Sequence, residues 1–461
     1  MERPLTLGAD LESLNLRPWG GSFILKGQLR FAYNILLAVF FLLSAPFYFL
    51  KMWRRGNWKN RFGQRFGLYC AQDKAALAGA RNLWIHAVSV GETGVCLELI
   101  RALEPRLKGF QIVVSTTTST GMAELERKLP GHIQKVYYPV DLWWGVRSAF
   151  KAIHPVAIIL VEAEIWPNLL WRALDSGVPI HLVNARISER SHRGYQRAAF
   201  LFRGIFSRFQ TAACQDETDA QRLVSLGFDP ARVHTVGNMK FDCVNGLRGQ
   251  RLDVRGLLAR IGVPPEARLL VAGSTHEGEE VILAKIAARL RQRHPDLFLI
   301  LVPRHFERAR KVGAALAKQN IRFVYRSEIP PQGRASDQRP DCLIVNTTGE
   351  LMWFYSEAAL VFVGKSLTAR GGQNPIEPAA LGKAVVFGPN MQNFLSVAAL
   401  LTGGRGAVQV RDADGLERAL DELLEDGARR EELGRRAMEV VRKNQGAARR
   451  TADLIQPGLP V

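Results

Sequence analysis

The strongest constraint on this chain is a pattern that occurs twice. From about Asn82, short apolar runs alternate with longer amphipathic stretches. Residues 83–88, 111–114, 156–161, 180–184 and 211–214 read as strands, with helical segments such as 96–107 and 168–176 between them. Runs this short and this uniformly apolar suit strands buried on both faces, which means a parallel sheet covered by helices. A polar stretch containing Gly and Arg follows at 244–262, and then the alternation restarts. Strands are expected there at 269–272, 297–302, 322–325, 342–345, 360–363 and 384–387. A chain of 461 residues is too long for one ordinary core. The expected fold class is therefore α/β, with two Rossmann-like doubly wound domains over 71–245 and 246–461. Such sheets bind ligands beyond the carboxyl ends of their strands, and two facing domains would leave a cleft there.

Residues 1–70 differ in character. The segment 31–50, FAYNILLAVFFLLSAPFYFL, carries no charge. A helix of twenty residues is about 30 Å long, the thickness of a bilayer's hydrocarbon core. Asn34, Ser44 and Pro46 interrupt it, so a span and an interfacial helix both remain open. The following KMWRRGNWKNRFGQRFGLY contains Lys51, Arg54, Arg55, Lys59, Arg61 and Arg65 and no acid. The excess of cations after the anchor predicts that the rest of the chain is cytoplasmic, with Trp53, Trp58, Phe62 and Phe66 at headgroup level. The chain as a whole has 62 Lys+Arg against 43 Asp+Glu, a net charge of +19, which calls for an anionic partner. Without zinc-finger spacing, a helix-turn-helix signature or an RNA-recognition motif, no nucleic acid is expected, and inner-membrane lipid takes its place. Cys70, Cys96, Cys214, Cys243 and Cys342 are widely spaced and read as reduced, mostly buried cytosolic thiols.

Residues just beyond each strand carry the candidate chemistry. HAVSVGE places Glu92 near a helix N-terminus, where the dipole favours an ionised carboxylate, as a base that takes a proton from a hydroxyl requires. An ordinary helix would favour an acid there too. STTTSTG, 115–121, is a hydroxyl-rich junction able to meet an anion or a sugar. VEAEIWPN sets Glu162 and Glu164 on one face if the strand continues. No further ligand stands at metal spacing, so no metal site is expected. Lys240 in GNMKFD is a lone cation. In the second half, AGSTHEGEE offers Gly273, Ser274 and Thr275 to a phosphate, and VPRHFER puts Arg304 and His305 at a strand end. TTGELMWFY opens a helix, and the run 363–394 combines Gly371–Gly372 with Asn374, Pro375 and Glu377. An acid so placed can accept both hydroxyls of a ribose. Asp412-Ala413-Asp414 matches a loose D-x-D but is better read as a helix cap.

HAVSVGE, EAEIWPN, NARISERS, GNMKFD, STHEGEE, LVPRHFER, GELM and GGQNPIEPAALGKAVVFGP together, in this order, resemble the bacterial 3-deoxy-D-manno-octulosonic acid (Kdo) transferases. The resemblance runs from the anchor to about Gly446. It implies a GT-B fold with an acceptor-binding domain over 71–245 and a CMP-sugar donor-binding domain over 246–461. The implied donor substrate is CMP-Kdo, the implied acceptor a lipid A precursor such as lipid IVA, and no cofactor or metal is implied. By matched motif, Glu92 would be the general base, and Glu162 and Lys240 would stabilise the transition state. Pro303, Arg304, Thr348, Gly349, Glu350, Asn374, Pro375, Ile376 and Glu377 would hold CMP. The implied location is the inner membrane, with one N-terminal anchor and the catalytic domains on the cytoplasmic side. Lys365 stands where the family commonly has glycine, and Thr348 where it often has Met. The competing readings are a UDP-sugar glycosyltransferase or epimerase of the same fold, and a non-catalytic, membrane-attached lipid-binding protein.

Overall fold

The computed structural model describes residues 23–54, 61–88, 90–162, 165–244, 252–330 and 339–460. The chain divides into two units, one of residues 1–238 with 448–461, the other of residues 239–447.

The first unit is built on a seven-stranded sheet of β1 (Arg81–His86), β2 (Phe110–Thr116), β3 (Gln134–Tyr137), β4 (Pro155–Val161), β5 (Ile180–Ala185), β6 (Thr211–Cys214) and β7 (Val233–Thr235), in the order β3-β2-β1-β4-β5-β6-β7. Its neighbouring strands pair in parallel. The chain starts at the centre, runs to one edge and then crosses over to β4, so the topological switch lies between β1 and β4. Trp84, Ile158, Leu160, Leu182 and Phe206 are among the buried side chains of its core. The second sheet has β8 (Arg268–Thr275), β9 (Leu297–Pro303), β10 (Phe323–Tyr325), β11 (Cys342–Ile344), β12 (Leu360–Val363), β13 (Ala384–Phe387) and β14 (Ala407–Gln409), in the order β10-β11-β9-β8-β12-β13-β14. It is also parallel, with its switch between β8 and β12. Central strands such as β4 and β12 are buried almost throughout, which is why they read as unbroken apolar runs.

The expected α/β class with two doubly wound sheets is what the chain adopts. The differences lie at boundaries and edges. The short strands β3, β7 and β14 were not expected; each is a sheet edge, partly exposed and containing polar residues, so it lacks the apolar run that marks the buried strands. The division falls at Asn238/Met239 rather than at 245/246, because Phe241 is fully buried in the second core beside Val254 and Leu257. Residues 448–461, expected in the second domain, return to the first. There Arg450 donates to the Val236 carbonyl at 2.8 Å, and Ile455 is buried. The polar stretch expected at 244–262 contains the helix Val254–Ala259, while 245–251 lies outside the described residues. The apolar N-terminal segment is part of one helix, α1 (Phe23–Arg54), long and apolar enough over Gly27–Phe47 to cross a membrane.

Candidate active site

Glu92 and Glu162 stand at the first unit's switch point, beyond β1 and β4. The helix Val90–Leu103 begins six residues earlier than the amphipathic pattern indicated, so Glu92 lies in its first turn. Glu92 is 7% exposed, and its Oε2 accepts a hydrogen bond from the Val88 N–H at 2.7 Å. That bond folds the strand end back over the helix start and fixes the carboxylate. The loop is braced from below. The Thr116 hydroxyl donates to the Val88 carbonyl at 3.1 Å, and a Cβ on Gly121 would come within 2.5 Å of Thr116 Oγ1. His86 stacks on Tyr138 with ring centroids 3.9 Å apart and lies 2.9 Å from the Ser115 hydroxyl. Complete burial pushes its imidazole down to about 3, so it is neutral and serves packing.

Glu162 directly follows β4, the sheet neighbour of β1. The strand does not continue through it. Glu162 has φ +63, a left-handed conformation uncommon for a residue with a Cβ, and its N–H donates to the Val183 carbonyl at 2.9 Å. The expected shared face of Glu162 and Glu164 is therefore broken at the first residue, and Glu164 lies outside the described residues. Asn184, at the end of β5, is likewise left-handed at φ 49, where the pairing of β5 with β6 shifts register. A chain of hydrogen bonds joins the next loops: Asn238 Nδ2 donates to Gln215 Oε1 at 2.8 Å, and Gln215 Nε2 to the Asn184 carbonyl at 3.0 Å. Several hydroxyls of the 115–121 run are committed to the fold. Ser115 accepts from Trp84 Nε1 at 2.7 Å, and Thr118 caps the helix Ser119–Lys128.

Lys240 belongs to the second unit, not to the unit that carries Glu92 and Glu162. It sits in the short helix Met239–Phe241 with its ammonium 5.7 Å from the centre of the Phe394 ring.

The second unit gathers its candidates at the carboxyl ends of β9, β11 and β12, around β8. Pro303 pairs with Thr275 across the β8–β9 ladder. The Arg304 N–H donates to the Thr275 carbonyl at 3.1 Å, and its side chain is exposed. Thr348 and Gly349 are exposed after β11, with Gly349 at φ 84. Glu350 next to them is held by Arg326 at 3.0 Å. Asn374 Oδ1 accepts from the Ile376 N–H at 3.1 Å; Pro375 and Ile376 are buried, and Glu377 is half-buried. Burial, together with the nearby Glu377 charge, raises the titration of Tyr355. A Cβ on Gly273 would lie 1.8 Å from the Tyr355 hydroxyl, so only glycine fits at that point of β8.

Glu279 is the organiser that sequence reading missed. It is fully buried, and its carboxylate accepts four backbone N–H groups: His276 at 2.8 Å and Lys365 at 2.7 Å on one oxygen, Ser366 and Leu367, both at 2.9 Å, on the other. One side chain thereby ties the loop after β8 to the loop after β12. The signal was present in the paired acids of HEGEE, but an acid pair at a helix start is ordinary. Glu280 beside it pairs with Arg308 at 2.9 Å and accepts from the Thr275 hydroxyl at 3.0 Å, so Thr275 is not available to a phosphate. Lys365 is left-handed at φ 56, and a Cβ on Gly371 would lie 3.3 Å from its ammonium. Burial, then the charges of Lys365, Arg308 and His305, lowers the titration of His276.

Other features take structural roles. Asp412 caps the helix Ala413–Glu425, accepting from the Gly415 N–H at 2.8 Å. Cys96, Cys214 and Cys342 are buried thiols, each pushed up to about 12 by burial, which leaves them protonated rather than nucleophilic.

Two seven-stranded parallel sheets with acids and cations at their carboxyl edges define a protein of the GT-B class. Solved structures bear out the fold. A glycosyltransferase from Rickettsia africae matches with a TM-score of 0.54 at 12% identity, covering 83% of this chain and 99% of that one. A UDP-GlcNAc 2-epimerase from Neisseria meningitidis matches with a TM-score of 0.53 at 12% identity, covering 81% and 98%. Sequence relatives narrow the class. Residues 60–243 match the family model of 3-deoxy-D-manno-octulosonic-acid transferase. The chain is 31% identical to a 3-deoxy-D-manno-octulosonic acid transferase of Haemophilus influenzae, over 93% of this chain and 99% of the relative. It is 33% identical to the one of Bordetella pertussis, over 90% and 97%. The chain belongs to the 3-deoxy-D-manno-octulosonic acid transferase family.

Proposed function

We propose that the chain transfers Kdo from CMP-Kdo to a sugar hydroxyl of a lipid A precursor, lipid IVA, at the cytoplasmic face of the inner membrane. The observation that supports this most directly is the fixed carboxylate of Glu92 at the first switch point, in a chain similar to Kdo transferases along nearly its whole length. Glu92 takes the proton of the acceptor hydroxyl as its oxygen bonds to the anomeric carbon of Kdo. The bond from that carbon to the cytidylate oxygen breaks, and CMP leaves with the electron pair. The transition state carries positive charge on the sugar and growing negative charge on the phosphate. Glu162 and Lys240 stabilise these charges. Pro303 and Arg304, Thr348 with Gly349 and Glu350, and Asn374 through Glu377 hold CMP, with Glu377 on the ribose hydroxyls. Cations and N–H groups carry the anionic charge, so the reaction uses no divalent metal.

Incubating the purified full-length chain with CMP-Kdo and lipid IVA should give a product heavier by one or more Kdo residues. An unchanged acceptor mass at any enzyme concentration would refute the reading. Glu92→Gln separates base from cap, because the amide oxygen can still accept from Val88. The variant should melt within a few degrees of the parent and bind CMP equally well, with transfer reduced about a hundredfold or more. Wild-type transfer by that variant would remove Glu92 from the mechanism. CMP-Kdo, and not UDP-GlcNAc, should raise the melting temperature.

A further inference from the structure

Helix α1 does not stand clear of the first unit. Half-buried positions recur at three- and four-residue spacing from Leu29 to Ala45, and those between them are exposed. The half-buried stripe is fastened by polar groups. Arg30 pairs with Asp175 at 2.6 Å, the Tyr33 hydroxyl donates to Asp141 at 2.9 Å, and Asn34 exchanges amide hydrogen bonds with Asn168 at 2.9 and 3.2 Å. Rings extend the contact: Tyr33 meets Trp171 edge-on at 5.5 Å, and Phe41 meets Phe66 at 6.1 Å.

These contacts decide how much helix is left to enter a bilayer. At 1.5 Å per residue, the contacts from Arg30 to Phe41 take up about 17 Å of helix against the body, and the remainder to Arg54 extends about 20 Å. That is about two-thirds of a 30 Å hydrocarbon layer. Drawing the stripe into lipid would strip Arg30, Asn34 and their partners of hydrogen bonds where no water could replace them.

The opposite face is apolar and open. Phe31, Leu36, Leu43 and Phe47 are 68, 70, 79 and 64% exposed. On the body, Trp144, which stacks on Phe66 at 6.1 Å, and Trp143, 58% exposed, also reach the surface. Trp53 near the end of α1 is 59% exposed. Indole rings favour the boundary between headgroups and acyl chains. The adjoining sequence 51–66 holds six Lys and Arg and no acid. Such a segment would repel its copy on a second chain and attract anionic headgroups, which selects a lipid surface as the occupant.

We propose that α1 is a monotopic anchor: it lies along an anionic phospholipid surface, clasped to the first unit by Arg30, Tyr33 and Asn34, with both of its ends on the same side of the membrane. This placement goes beyond the transfer reaction and holds whatever the donor.

The test replaces Gly27, which has open space around it, in the full-length chain. Sealed inside-out membrane vesicles carrying Gly27→Cys are treated with a charged, membrane-impermeant maleimide, and labelled peptides are read by mass spectrometry. The exposed native Cys70 reports the face of the body. The expected result is labelling of the introduced thiol and of Cys70 from the same face, to extents within about twofold. Labelling of the introduced thiol only from the opposite face, or only after detergent, overturns the proposal. Flotation of the purified parent with phosphatidylglycerol–phosphatidylethanolamine vesicles is the second measurement, with most of the protein expected in the lipid fraction at low salt. Protein that stays behind, whether as a monomer or as a dimer covering the stripe with a second copy, also overturns it.

Discussion

Glu162 and His181 show how single residues in this fold trade stability against other demands. Glu162 holds a left-handed backbone at φ +63 that glycine would adopt without strain. Glu162→Gly should leave stability unchanged or raise it by about 1 kcal/mol, while transfer falls. Denaturant midpoints beside transfer rates would read the two effects separately, and unimpaired transfer would show that the strain serves no chemistry. His181 is fully buried under Gly458, and among the described residues neither ring nitrogen has a hydrogen-bond partner. Burial pushes it down to about 4 from the ordinary 6.5. A depressed folded value means that its stability contribution is present above 6.5 and is lost as pH falls through 4. His86, lowered to about 3, acts in the same direction. Asp141 and Asp219, raised by burial to about 7 and about 6, act oppositely: their contribution is complete below the usual 3.8 and is lost as pH rises through those values. His181→Leu isolates one of these effects. It should match the parent near pH 7 and be more stable by about 2 kcal/mol at pH 5. Urea midpoints at the two pH values would check this, and parallel pH dependence of the two proteins would refute it.

At the scale of elements, two acids hold segments together. Asp141 accepts the N–H groups of Asn168 and Leu169 at 2.9 and 3.0 Å, capping the helix Pro167–Asp175 from outside, and also receives the Tyr33 hydroxyl. Asp141→Ala should cost about 2–4 kcal/mol. It should also speed proteolysis at Arg30, which loses support on its helix; an unchanged cleavage rate would mean that the clasp does not depend on Asp141. Glu279 ties the loops after β8 and β12. Glu279→Ala would leave four N–H groups, one buried and three part-buried, without their acceptor, at a cost of about 3 kcal/mol. CMP affinity should fall in the same variant because Lys365 loses its anchor, and calorimetric titration with CMP reads that directly. Retained affinity would place the donor elsewhere.

At the scale of the whole molecule, the return of residues 448–461 to the first unit makes the tail structural. A chain ending at Gly446 would lose the buried Ala452, Ile455 and Leu459 and the Arg450 bonds to Val236. Its first unit should melt lower while CMP binding by the second persists, as scanning calorimetry with and without CMP would show; equal melting would contradict the division. The sequence by itself determined the fold class, because strands buried on both faces must be apolar throughout and crossover helices must be amphipathic. It also placed Glu92 and Arg304 just beyond strand ends and Glu377 near a helix start, since chemistry in such sheets collects at these junctions. Tertiary structure alone decided which unit Lys240 joins, that Glu162 turns off its strand, that Glu279 gathers four N–H groups, and that α1 rests on the first unit. Each of these depends on partners far away in sequence, such as Phe394, Val183, Lys365 and Asp175. A local pattern of apolar and polar residues carries periodicity, but not the identity of the distant group a side chain will meet.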